Sequence, residues 1–416
     1  MRAALVVAGD LDSISGGYLY DRKLVSYLQD RGHAVEVVSL PAEPYPRQLL
    51  ENARSLSGRL DEFDVVVEDG LAHPSLLRAN RNLETPVVAL VHMLRCQAVS
   101  RAGAVGGTGP VDGKESPGSS FVTAVENRLV TAIENGLVTT VENRLVTAVE
   151  RRFLGGVDAA IHNSEATRRE ARRLGAPPRD VVAPPGGDRF DPDVGVDEIR
   201  RRARDGPIEI CFLGSVVERK GLDLLVEALA GTSVDWRLCV IGDVTVEPDY
   251  VRRVRRRIAA LGIDKAVTFE GRLPDAAVAE RLRASSVLAV PSRYEPFGIA
   301  FLEGMSFGCV PIATSRGGAS EFVADGTAGM IVPPEPASIA DRLERLGDRD
   351  RLATMGIAAR RAYVRQPTWD ESLARIERFL SALVEGREAD FDPEADFDRG
   401  ETGPEPGAGT DTGGHP

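Results

Sequence analysis

A chain of 416 residues, 43% of them hydrophobic, is long enough for two or three domains with sizeable cores, which excludes a peptide or a wholly disordered polymer. Its 51 basic residues against 63 acidic ones leave a net charge of -12, which excludes a protein that needs a broad basic face for a phosphate backbone, and nucleic acid is not expected as a partner. Of that charge, -7 falls between residues 386 and 416, where nine acids face Arg387 and Arg399.

In chain order, Ala3 to Ala8 reads as a first apolar strand, followed by a helical pattern from Gly17 to Arg31 and strands at Ala34 to Leu40, Asp64 to Glu68 and Pro86 to His92. Arg101 to Ser120 is rich in Gly and Ser and reads as a loop. An octad repeat then runs through Val122–Leu129, Val130–Leu137, Val138–Leu145 and a decayed copy, Val146–Phe153. Eight residues overshoot two helical turns by about 80°, so the apolar stripe of a helix built on this repeat must wind around it. The repeat predicts either a partly exposed helix lengthened by expansion or a surface for a partner, a second copy or a membrane, and the first is preferred.

The cluster Pro184–Asp188 and the polar stretch to Gly206 predict a junction. Beyond it a second series of strands is expected at Ile208–Gly214, Arg237–Gly242, Val267–Gly271, Val287–Pro291 and Val310–Thr314, with a last helix over Thr368–Glu385. Alternating strands and helices predict an α/β class: two Rossmann-like domains, residues 1–190 (with the octad repeat at 122–153) and 191–367, whose parallel sheets face each other across a cleft where a ligand sits. Residues 368–385 would cross back to the first domain. Residues 386–416 hold almost no large apolar side chains and are expected to be a disordered acidic tail.

Cys96, Cys211, Cys239 and Cys309 are too far apart for a zinc site or a small disulfide framework, and are expected reduced and mostly buried. The apolar run at the N-terminus is too short for a signal peptide and no stretch is long enough to span a bilayer, so the expected compartment is the cytoplasm. Asp-x-Asp triplets at Asp10/Asp12, Asp191/Asp193 and Asp348/Asp350 sit in no frame suited to a cation, and no metal is assigned. No Gly-x-Gly-x-x-Gly follows the first strand, which argues against a dinucleotide-dependent dehydrogenase.

The segment with most chemistry is Arg293–Glu303, read Arg-Tyr-Glu-Pro-Phe-Gly-Ile-Ala-Phe-Leu-Glu, directly after a strand. A strand, a glycine-bearing turn and a helix N-terminus present free backbone N–H groups to a diphosphate. Glu295 and Glu303, eight apart, would flank that point, one for the transferred sugar and one for a ribose. This Glu-x7-Glu pattern resembles the large retaining glycosyltransferase family with the GT-B fold (family 4, glycosyl transferases group 1). Phe212–Leu229, with Gly214, Ser215, Arg219 and Lys220, is similar to that family's strand, loop and helix around a phosphate-binding lysine, while Ser215 stands where the family usually has Arg.

The resemblance implies a donor held by Lys220, by Arg219 in place of the missing arginine, by the Phe297, Gly298 and Ile299 turn, and by the Gly16–Gly17 loop. It implies His92 near the reacting sugar, and Arg272 and Leu273 at the nucleobase. It also implies same-face transfer in which the leaving phosphate accepts the acceptor's proton, with no cofactor beyond the nucleoside-diphosphate sugar as substrate. The acceptor hydroxyl is unnamed. A lipid-linked glycan, with peripheral association at the inner membrane face, is one expectation, resting on the repeat downstream of His92. A catalytically weak scaffold on the same fold, or a phosphorylase or epimerase, is the alternative.

Overall fold

The computed structural model describes residues 1–12, 15–51, 56–97 and 137–387. The Arg101–Ser120 loop, the first half of the octad repeat and the tail from residue 388 lie outside the described residues.

The first sheet is six parallel strands in the order β2-β1-β3-β4-β5-β6: β1 (Arg2–Ala8), β2 (Ala34–Leu40), β3 (Val65–Asp69), β4 (Val87–Val91), β5 (Ala159–His162) and β6 (Asp180–Val182). β3, β4 and β5 are buried along their whole lengths, as central strands covered on both faces must be. In β1 the two faces feed two cores: Ala4, Val6 and Ala8 join one, and Ala3, Leu5 and Val7 the other. Helix α1 (Gly16–Asp30) follows β1, with Ser15 Oγ accepting from Tyr18 N at 3.1 Å as its N-cap.

The described end of the repeat is helix α2 (Leu137–Leu154). Its decayed octad carries the packing: Val146, Val149 and Phe153, at helical spacing, are buried, while Leu145 is 52% exposed. Glu150 is also buried, and its carboxylate accepts from the backbone N–H groups of Arg95 and Cys96 at 2.5 and 3.0 Å. Helix α3 (Glu165–Arg173) then leads from β5 to β6.

The second sheet is again six parallel strands, ordered β12-β11-β10-β7-β8-β9: β7 (Ile208–Leu213), β8 (Trp236–Ile241), β9 (Val267–Gly271), β10 (Val287–Ala289), β11 (Val310–Thr314) and β12 (Met330–Val332). Helix α4 (Leu222–Ala230) follows β7 and helix α5 (Ile299–Ser306) follows β10. The chain leaves β7 for β8 on one side and reaches β10 on the other, so the crevice beyond β7 and β10 is the switch point where α/β sheets take ligands.

The last helix, α6 (Trp369–Val384), starts with a capping box between Thr368 and Glu371. Trp369, Leu373, Ile376, Leu380 and Leu383 bury against α1 and β1 in the core of the first sheet, so the C-terminal segment belongs physically to the N-terminal unit. The two crossings touch. Asp188 Oδ1 accepts from Trp369 N at 3.0 Å, and a Cβ at Gly187 would lie 2.6 Å from Leu302 Cβ. The four cysteines are free, Cys239 half-buried and the others buried.

Candidate functional site

Two loops at the β7/β10 switch point build one wall of the site. Lys220 ends a short helical turn after β7, and Gly221 follows with φ 71° because a Cβ there would sit 2.2 Å from Pro291 O. Lys220 Nζ donates to Glu295 Oε2 at 2.5 Å, and the same oxygen accepts from Ser292 Oγ at 2.9 Å. Arg219 donates through one guanidinium nitrogen to Tyr294 O at 2.9 Å, and that nitrogen lies 4.0 Å from Glu295 Oε2. Burial pushes the Glu295 carboxyl up, but Lys220, Arg219 and the Ser292 hydroxyl outweigh it and hold the group below its ordinary value. Burial lowers Lys220 more than the Glu295 charge raises it. A buried carboxylate therefore meets a half-buried ammonium and a partly exposed guanidinium at the strand ends.

Gly298 caps α5 in the left-handed region, φ 102°, where any side chain would collide with Phe301 at 2.6 Å. Helix α5 starts at Ile299, and Glu303 falls in its second turn. Phe297 precedes the Gly298 cap. Its ring is buried against Phe322, centroids 4.9 Å apart, so only its backbone is left for a donor. Glu303 is buried, and Oε1 accepts from Arg189 at 3.1 Å; Arg189 also grips both oxygens of Asp275, at 3.2 and 2.5 Å. Burial raises the Glu303 carboxyl, and Arg189 only partly opposes it.

Ser215 follows Gly214 at the end of β7, and its carbonyl accepts from Val217 N at 3.0 Å. Arg272 is exposed and pairs with Asp243 at 3.6 Å, while Leu273 packs on the core of the second sheet. Neither touches the Glu295 cluster in this structure.

The first domain supplies the opposite wall. A Cβ at Gly16 would meet Ile299 Cδ1 at 3.7 Å, and one at Gly17 would meet His92 Cδ2 at 3.2 Å, so the α1 N-terminus sits between His92 and the start of α5. His92 Nε2 is bonded to Asp21 Oδ1 at 2.7 Å, with the ring edge-on to Tyr20. Burial lowers the imidazole, and Asp21 and Asp69 together overcome it, leaving the ring more basic than usual. Burial beside Asp21 lifts Asp69 to about 7. Among the described residues no cluster of His, Cys, Asp or Glu is placed to hold a metal.

Sequence reasoning overlooked Asp21, Asp69, Arg189 and Asp275. Asp21 had a signal, because it lies four residues after Gly17 on the same face of α1. Arg189 had none, since it meets Glu303 114 residues away only through folding.

Residues 197–362 match the family model for glycosyl transferases group 1, and residues 20–187 match the glycosyl transferase 4-like domain. The chain is 35% identical over 242 residues to the GDP-mannose-dependent alpha-(1-6)-phosphatidylinositol monomannoside mannosyltransferase of Mycobacterium tuberculosis, covering 54% of this chain and 62% of that protein. It is 33% identical over 247 residues to the D-inositol 3-phosphate glycosyltransferase of Acidothermus cellulolyticus, 54% of each. The matches thus span less than two thirds of these relatives.

Among solved structures, sucrose-phosphate synthase from Thermosynechococcus elongatus superposes with a TM-score of 0.70 at 19% identity, covering 92% of this chain and 99% of that one. Anabaena HepE in complex with UDP and glucose does so at 0.64 and 18% identity, covering 92% and 100%. With one family model on each half and two parallel sheets facing across a cleft, the chain belongs to the group 1 glycosyltransferases and has the GT-B fold.

Proposed function

We propose that this protein transfers a sugar from a nucleoside-diphosphate donor to an acceptor hydroxyl with retention of configuration, the donor on the second domain and the acceptor on the first. The observation that carries the reading is the pair of half-buried Lys220 and buried Glu295, with Arg219 beside it, at the mouth of β7 and β10. Departure of a nucleoside diphosphate develops negative charge, and cations fixed beforehand in a water-poor pocket stabilise it as it grows. Lys220 and Arg219 fill that role, and the Gly298–Ile299 backbone offers N–H groups at a helix N-terminus.

Glu295, kept ionised, orients sugar hydroxyls, and Glu303 accepts from the ribose. The bond to the leaving phosphate oxygen breaks as the acceptor oxygen approaches the same face of the sugar. The acceptor's proton passes to that phosphate oxygen, so no protein nucleophile and no cofactor or metal is required. His92, held by Asp21, lies beside the transferred sugar.

GDP-mannose and UDP, printed in the names of the mannosyltransferase relative and of the HepE complex, are the first donor chemistries to try. An inositol phosphate and a phosphatidylinositol-linked sugar, printed in the names of these relatives, are the first acceptors to try, and the second would bring the enzyme to a membrane surface. Among the described residues no helix is long and apolar enough to cross one. Ser215 in place of an arginine supports the rival reading, a scaffold that binds without transferring.

A thermal-shift panel of nucleoside-diphosphate sugars separates the two. A donor at a hundredfold excess over its Kd stabilises the fold by about 2.7 kcal/mol. The expected result is a shift with one donor that Lys220→Met abolishes; no shift with any donor moves the assignment to the scaffold.

A further inference from the structure

The N-terminus of α3 is tied to the other domain. Three of its first N–H groups lie outside the intrahelical pattern. Ser164 Oγ takes Thr167 N at 3.0 Å, and the remaining two, Glu165 N and Ala166 N, donate at 2.9 and 2.6 Å to the two oxygens of Glu321 from the second domain. A carboxylate suits the positive end of a helix, and both bonds are charge-assisted.

Two further bonds join the same helix to the donor loop. Ser164 Oγ donates to Pro296 O at 3.0 Å and Tyr294 Oη donates to Glu170 Oε2 at 2.9 Å, so the residues on both sides of Glu295 are fastened to α3. Glu321 reaches Glu295 by a third route. Glu295 N donates to Arg316 O, and Gly318 N donates to Glu295 O, both at 3.0 Å. A Cβ at Gly317 would lie 1.7 Å from Glu295 O, and one at Gly318 would lie 2.4 Å from Pro296 O and 3.1 Å from Ser164 Cβ. One short helical turn, Ala319–Glu321, links this backbone clamp to the carboxylate on α3.

We infer that Glu321 is a positioning residue: by seating on the α3 N-terminus it locks the two domains in register and so fixes Glu295 opposite His92 for transfer. It touches neither donor nor acceptor. The inference rests on the function proposed above, and it predicts a loss in turnover without a loss in donor binding.

The test compares full-length wild type, Glu321→Ala and Glu321→Gln, the second keeping shape and one acceptor oxygen while removing the charge. Calorimetric affinities for UDP and GDP, kcat and KM with the responsive donor sugar, and the radius of gyration in solution are measured on each. The expected result is that kcat falls about tenfold or more in Glu321→Ala and less in Glu321→Gln, as two lost charge-assisted bonds imply. Nucleotide affinity stays within about twofold, and the radius of gyration of Glu321→Ala rises as the cleft opens. Unchanged kcat and radius, or kcat and nucleotide affinity falling together in both variants, overturns it. If wild type transfers no sugar, the proposed function has failed, and an unchanged radius in Glu321→Ala then overturns the interdomain lock on its own.

Discussion

Glu295 and Glu303, the two carboxylates that the sequence singled out, are both buried, yet their surroundings push them apart. Glu295 is held below its ordinary pKa by Lys220 and Arg219 against burial, while burial carries Glu303 above. Glu303 is expected to accept a hydrogen bond from the donor while Arg189 holds its carboxylate in place. Glu303→Gln should therefore raise donor KM by about 10- to 100-fold, the worth of a hydrogen bond to a charged group, with a smaller change in kcat measured in steady-state assays.

A different buried acid, Glu68 of β3, makes its prediction through stability. Its carboxyl accepts from Asn80 at 2.8 Å, but burial dominates and lifts it from 4.5 to about 8. The folded state then keeps a proton that the unfolded chain releases, so stability is greatest below pH 4.5 as far as this group is concerned and falls as pH rises toward 8. Glu68→Gln should flatten that slope and raise the melting temperature more at pH 8 than at pH 5, measured by calorimetry.

At the scale of elements, the parallel strands and their turns determine which side chains can reach the cleft. The Gly317–Gly318 turn after β11 backs directly onto Glu295, and Gly317 has φ 127°, where an L side chain is strained as well as crowded. Gly317→Ala must displace the Glu295 backbone, and transfer should fall at least as far as in Glu295→Gln while UDP or GDP binding survives in part. Helix α6 supplies the other element-level test. Ile376 is fully buried on its inner face, so Ile376→Ala should cost about 2–5 kcal/mol, read from denaturant unfolding. The loss should appear in the first domain, where α6 packs, although Ile376 lies 192 residues downstream of Pro184.

Across the whole molecule, the crossings at 184–188 and 368–369 lie against each other, a compact place for a hinge, while Glu321, Tyr294 and Pro296 fasten the domains on the far side of the cleft at α3. The two domains are therefore joined by both sets of contacts. The local code was sufficient for much of this. Short apolar runs, helix caps such as Ser15 and Thr368, and the strand–turn–helix at Arg293–Glu303 are each written within about ten residues, so the two α/β halves and the Glu295 and Glu303 pair could be read from the chain, while Lys220 was legible through the family resemblance. Among the strands of three or four residues, β10 was legible because its apolar run continues through Val290 and Pro291, whereas β5, β6 and β12 could not be separated from their loops. Partners that meet across long separations were settled only by folding: Asp21 with His92, Arg189 with Glu303, and Glu321 with the α3 N-terminus. The residue types on such pairs are common anywhere on a surface, and it is the packing of two sheets, not any spacing in sequence, that removes water from them and makes their charges matter.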